Sequence, residues 1–123
     1  MPPGALQARA LRESQALYHD LVETAQDLIW QVDAAGRFTY VNPAWRDVLG
    51  YAPEEMLGRR FSDFQHAEDA ARDLRAFAAI LGGNVAKGLE TTHYAKDGRP
   101  VRLVFNAKAV RDRDGAIVGT RGT

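Results

Sequence analysis

A few short stretches hold residues whose types could do chemistry. His66-Ala67-Glu68 has the His-x-Glu lettering of a zinc site that activates water, but the chain has no cysteine to complete the ligand set. The same absence removes disulfides, thiolate metal sites, cysteine nucleophiles and cysteine photoadducts. The glycine-rich run "GGNVAKG" carries Lys87, yet it lacks the G-x-x-x-x-G-K-[ST] order that aims backbone N–H groups at a phosphate. It reads as a helix stop and a loop. Ser62 has no nucleophile elbow around it. His19 and Glu23 share a helix face, but two donors without a third do not make a metal site, so none is expected. Nothing here assembles a nucleophile, a base and an oxyanion site, and the segment is expected not to be an enzyme.

What remains is a hollow that the secondary structure would have to build. With 123 residues the chain suits one domain that removes roughly 65–70% of its unfolded surface from water. Hydrophobic residues make up 46% and charged residues 26%, as in ordinary soluble domains. Sixteen basic residues balance sixteen acidic ones, so no net field draws in nucleic acid or an anionic membrane. No apolar run reaches the ~18 residues of a membrane span, no signal-peptide core is present, and a cytoplasmic setting is expected.

Residues 1–5 read as a flexible start and residues 6–26 as an amphipathic helix, free of internal Gly and Pro. Its thin apolar stripe of Leu6, Ala10, Leu17 and Leu21 is too narrow for a self-sufficient core helix. It packs on its own domain or on a second copy, so these four residues are the dimerisation candidates. In "LIWQVD" (residues 28–33) the period changes to two, "AAG" makes a turn, and "RFTYV" pairs back as a hairpin. Asn42 has the type and place of a helix N-cap, with Pro43 at the first helical position and Gly50 at the stop. A short turn follows from Pro53 to Gly58. The helix over residues 68–81 would then face the core with Leu74, Phe77, Ala78 and Leu81 before Gly82-Gly83 ends it. From Gly88 onward three strands alternate with Asp-Gly turns, and Val101, Leu103, Phe105 and Ala107 share one face. His93 reads as a surface residue on the first of these strands. The order predicts an α+β domain: a leading helix, two strands, three short helices and three more strands in a five-stranded antiparallel sheet.

These residues resemble a known family. "VDAAGRFTYVNPAWRDVLGYAPEEMLG" is similar to the opening half of a PAS domain, with Asp33, Gly36, Asn42, Gly50, Tyr51, Glu55 and Gly58 in the pattern positions. "FQHAED" resembles the H-P-E-D stretch before the long PAS helix, with Ala67 in place of Pro, and the residues from Tyr94 onward resemble the PAC half, with Asp97-Gly98 in its hairpin. The likeness spans about residues 20–123, so residues 27–123 are expected to form the domain, ending inside its last strand. The resemblance implies a bacterial sensory or dimerisation module, a homodimer, and an output domain further along the same chain. Sensor histidine kinases and diguanylate cyclases are the expected parents, some of them membrane-anchored. His19-Asp20-Leu21 is similar to a kinase phosphoacceptor box only in its first letters, because Val22, Glu23 and Thr24 replace the basic residue and Pro-Leu that would follow.

PAS domains hold haem, flavin, small metabolites or nothing, and the site residues must choose. Haem is not expected, since the long helix has no His and His66 just before it reads as a help to the helix start. Trp30, Trp45, Leu49, Phe61, Phe64, Leu74, Phe77, Leu103 and Phe105 are the candidates to line the hollow. Such rings suit a flat or apolar ligand, or they fill the space as plain core. A small-molecule sensor and a ligand-free dimerisation relay therefore both stay open, with a haem or flavin redox or gas sensor as a third reading.

Overall fold

The hairpins start from aspartates. Asp33 Oδ1 accepts from the N–H groups of Ala35 and Arg37 at 2.9 and 3.0 Å, and Asp112 Oδ1 accepts from Asp114 and Ala116 at 2.9 Å each. Asp97 Oδ1 holds the N–H of Arg99 at 3.0 Å. Each side chain closes its own turn and so fixes the register of the strands on either side. At Gly36, φ is +81° and an added Cβ would sit 3.0 Å from the Phe61 ring, so both backbone and packing require glycine there.

The computed structural model describes residues 3–123. Helix α1 (Pro3–Thr24) leads into β1 (Trp30–Asp33) and β2 (Phe38–Val41). Helices α2 (Ala44–Leu49) and α3 (Pro53–Met56), a 3₁₀ turn (Phe61–Phe64) and helix α4 (Ala67–Leu81) follow. Strands β3 (Ala86–Tyr94), β4 (Pro100–Arg111) and β5 (Ile117–Gly122) complete the chain. The sheet is antiparallel throughout, in the order β2-β1-β5-β4-β3. The α+β layout is the expected one, with a 3₁₀ turn added to the three expected helices. Val32, Phe38, Trp45, Leu49, Met56, Phe64 and Phe105 form the buried centre between the sheet and α2–α4. Stripping a ring or a branched side chain from that layer costs a few kcal/mol, about 2–5 for truncation to Ala.

Several expectations are corrected. Helix α1 begins at Pro3, where a missing N–H costs a first turn nothing, three residues before the expected helix start, and ends at Thr24. Residues 1 and 2 of the expected flexible start lie outside the described residues. Asn42 does not cap α2. The cap position falls on Pro43, with no side-chain cap bond, and the Asn42 amide is spent elsewhere. Its Oδ1 accepts from Ile29 N–H at 3.0 Å, while its Nδ2 donates to Val22 O at 3.2 Å and Asp27 O at 2.8 Å. Asn42 thus ties the end of α1 and the segment before β1 to the end of β2. Gly50 stops α2 as expected, with φ +81° and its N–H on Arg46 O.

Helix α4 is rotated relative to the expected face. Its buried side is Ala70, Asp73 and Ile80 with Phe77 beside them, while Leu74 is 44% exposed and Ala78 is exposed. The cause is Asp73, a charge that faces inward because its Oδ2 is bonded by Gln65 and Thr91. His93 is likewise interior, at 3% exposure, and not a surface residue.

Candidate functional site: an aromatic cavity under the sheet

The inner face of the sheet presents Trp30, Val32, Phe38, Leu89, His93, Phe105, Ala107 and Thr120, because alternate residues of each strand point one way. Helix α4 and the 3₁₀ turn close over them with Asp73, Phe77, Ile80 and Phe61, and α2 adds Trp45. The space they line is partly open and measures about 60 Å³. Its walls are mostly rings. Phe105 meets Trp30 and His93 edge-on at 5.6 and 5.8 Å and stacks against Trp45 at 6.1 Å, and Phe61 meets Phe77 edge-on at 5.3 Å.

Polar groups interrupt this lining at a few points. Trp30 Nε1, Asp73 Oδ1, His93 Nδ1 and Thr120 Oγ1 are buried and have no hydrogen-bond partner. The other Asp73 oxygen is fully used: Gln65 Nε2 donates to it at 2.5 Å and Thr91 Oγ1 donates to it as well. The Arg72 guanidinium lies 3.5 Å from Asp73 Oδ1 and faces solvent on its other side. Burial pushes His93 down to about 4, against the opposing charges of Asp73 and Asp69, so its ring is neutral at pH 7. The cavity therefore combines an apolar body with a carboxylate oxygen, an indole N–H, a hydroxyl and a neutral imidazole. A buried polar atom left without a partner costs ~1–3 kcal/mol, and a bound group that satisfies it recovers that cost.

Of the sequence-predicted lining, Trp30, Trp45, Phe61, Phe77 and Phe105 meet at this cavity. Leu49 and Phe64 are buried in the adjoining core, and Leu103 is half-buried against it, facing a shallow depression near Leu28 and Val48. Leu74 stands outside. The polar residues Asp73, His93 and Thr120 were not anticipated. The signal for His93 lay in the Asp97 turn: the β3–β4 register it sets pairs His93 with Val101 and Thr91 with Leu103. His66 forms no side-chain cap bond on α4; its ring stacks flat on Tyr94 at 3.7 Å.

A hydrogen-bonded chain leads from the cavity wall to α1. Trp45 Nε1 donates to Ile29 O at 3.2 Å, and Asn42 N donates to the same carbonyl at 3.0 Å. From Asn42 the chain continues to Val22 O in α1. Tyr40 adds a second tie through its hydroxyl, which donates to Glu23 at 2.8 Å; burial and this carboxylate push the phenol up to about 12. A wider, open groove of about 830 Å³ runs beside these ties, between Tyr18 and Val22 of α1 and Lys108 and Arg121 of the sheet. Leu6, Ala10, Leu17 and Leu21 are all exposed on α1. Among the described residues no helix is long and apolar enough to cross a membrane, and no three His, Asp or Glu residues gather as a metal site.

A five-stranded antiparallel sheet that carries its helices between β2 and β3, folded over an aromatic cavity, makes a small α+β module. A family model described as the PAS fold matches residues 16–122, and the chain belongs to the PAS family. It is 26% identical over 104 residues to Sporulation kinase C of Bacillus subtilis, covering 84% of this chain and 24% of that protein. It is also 26% identical over 106 residues to the probable diguanylate cyclase DgcE of Escherichia coli, covering 85% of this chain and 10% of that protein. Among solved structures, a domain of a sensory box sensor histidine kinase/response regulator from Geobacter sulfurreducens superposes with a TM-score of 0.73 at 28% identity, covering 90% of this chain and 95% of that one. The chain thus spans a quarter or less of the two curated relatives and nearly all of the solved domain.

Proposed function

We propose that this chain is the sensory input of a larger signalling protein and that it detects a small molecule in the cavity beneath its sheet. The observation that carries this reading is the set of unpartnered buried polar atoms in an otherwise aromatic wall. A core that served packing alone would gain nothing from Asp73, His93 and Thr120 at these places. The module works in the cytoplasm as a homodimer and performs no catalysis itself. Its output is a histidine kinase or a diguanylate cyclase in the same polypeptide, in keeping with the sporulation kinase and the probable diguanylate cyclase to which it is similar.

Transmission follows from where the wall residues sit. Thr120 belongs to β5, the last strand, and Trp45 connects through Ile29 and Asn42 to α1. A ligand that binds two arrangements of this wall with different affinity shifts both chain exits, and one that binds them equally shifts nothing. A ligand-free dimerisation relay is the second reading, favoured by the 52%, 61% and 59% exposure of Leu6, Leu17 and Leu21 along one helix.

Native mass spectrometry of the freshly purified domain, with an absorption spectrum from about 300 to 700 nm, separates the two. A reproducible extra mass lost on denaturation supports the sensor, and a band near 400 or 450 nm identifies it as a cofactor sensor. A colourless protein at its bare or doubled mass, unchanged after exposure to cell metabolites, leaves the relay.

A further inference from the structure

We propose that the cavity selects a compact, uncharged, planar molecule that both donates and accepts hydrogen bonds within a few atoms, as a small carboxamide does. This rests on the sensory reading and adds the chemical class of the ligand.

Size comes first. A space of about 60 Å³ is less than half the ~150 Å³ that houses benzene, so in this conformation it suits an occupant smaller than a six-membered ring. The wall then sets polarity. Trp30 Nε1 can only donate, and Asp73 Oδ1, as a carboxylate oxygen, can only accept. Thr120 Oγ1 and the neutral His93 ring serve either need. An occupant with a donor alone or an acceptor alone leaves one of these groups unsatisfied.

Charge is selected against on both sides. An anion meets the Asp73 carboxylate in a wall that is otherwise apolar. A cation would compete for an oxygen beside which the Arg72 guanidinium already stands at 3.5 Å, and would lose its hydration on entry. A neutral amide meets neither penalty. Its carbonyl oxygen accepts from the Trp30 indole or the Thr120 hydroxyl, and its N–H donates to Asp73 Oδ1 or His93 Nδ1.

Acetamide, acetate, acetamidinium and acetone share one shape and differ only in charge and in donors and acceptors, so they test the class directly. The chain has two tryptophans, which gives two indole N–H signals in a ¹⁵N–¹H spectrum. Trp30 is unpartnered on the cavity wall, whereas Trp45 is held by Ile29 O. Titrating acetamide should move the Trp30 signal with millimolar affinity, at least tenfold tighter than the other three compounds. Thr120→Val should weaken acetamide binding threefold or more, and Thr120→Ser should restore it. An unmoved Trp45 signal in the free variants shows that they remain folded. Equal or tighter binding of acetate, acetamidinium or acetone overturns the class while the sensory reading stands. Binding of none of the four also overturns it, and the sensory reading is then decided by the native-mass measurement alone.

Discussion

Replacing Asn42 with Asp separates two roles that a single residue can play. If Asn42 were a helix cap, Asp would do equally well, since both side chains accept from a first-turn N–H with similar strength. The structure assigns it a different task. Asn42 is fully buried, and its Nδ2 donates to Val22 O and Asp27 O while its Oδ1 accepts from Ile29 N–H. Asp keeps the acceptor and loses both donors, so two carbonyls lose their partner and face a carboxylate. Each lost bond with a buried partner left behind costs ~1–2 kcal/mol after allowing for partial solvent access, which gives ~2–4 kcal/mol for the pair. With an unfolding entropy of about 2.1 cal/mol/K per residue, 123 residues lose ~4 °C of Tm per kcal/mol, so the midpoint should fall by ~8–16 °C. Thermal unfolding by circular dichroism reads this directly, and faster hydrogen exchange at the last turn of α1 should accompany it. A variant melting within about 2 °C of the parent would refute the tie and restore the cap.

His93 supplies a pH dependence. Its native value of about 4 lies below the ordinary 6.5, so between those values the unfolded chain binds the extra proton. Stability is full above pH 6.5 and is lost as pH falls toward 4, by up to ~3 kcal/mol. Urea titrations at pH 7, 5.5 and 4.5 should show that slope, and His93→Phe should flatten it. On α4, Leu74→Ala should cost under ~0.5 kcal/mol because Leu74 is 44% exposed, while Ile80→Ala, at 5% exposure, should cost ~2–4 kcal/mol. The opposite order in chemical denaturation would mean that α4 is turned the other way. Leu17→Glu with Leu21→Glu should leave the melting point near the parent value and reduce dimerisation in light scattering; a double variant still dimeric would place the interface elsewhere.

The layout was legible because turns announce themselves locally. Asp33, Asp97 and Asp112 bond backbone within a few residues, so each hairpin's turn is set by sequence neighbours. The apolar face of β4 was legible for the same reason, one element obeying one period. Asn42 was legible as a marker and misleading as a mechanism. Its partners Val22 and Asp27 lie 20 and 15 residues back, and no local rule reaches them.

The polar half of the cavity was hidden by a different kind of reasoning. Hydrophobic periodicity assigns charge to the outside, so Asp73 pushed the expected face of α4 toward Leu74 and Ala78, and His93 went to the surface. Each residue looked solvent-facing on its own element. Together, Gln65, Asp73 and Thr91 hydrogen-bond one another across the end of the 3₁₀ turn, α4 and β3, and only the tertiary fold makes that exchange available. The one long-range constraint within reach was strand parity. Phe105 is inward-facing and pairs with Leu89, so Thr91 and His93, two and four residues on, lie inward with it. An inward Thr91 on β3 calls for a partner on the element packed above, and α4 offers one carboxylate at the right height in Asp73. Once one inward position on β4 is known, the search for a polar site can therefore start from the hairpin register, before any periodicity is consulted for the covering helix.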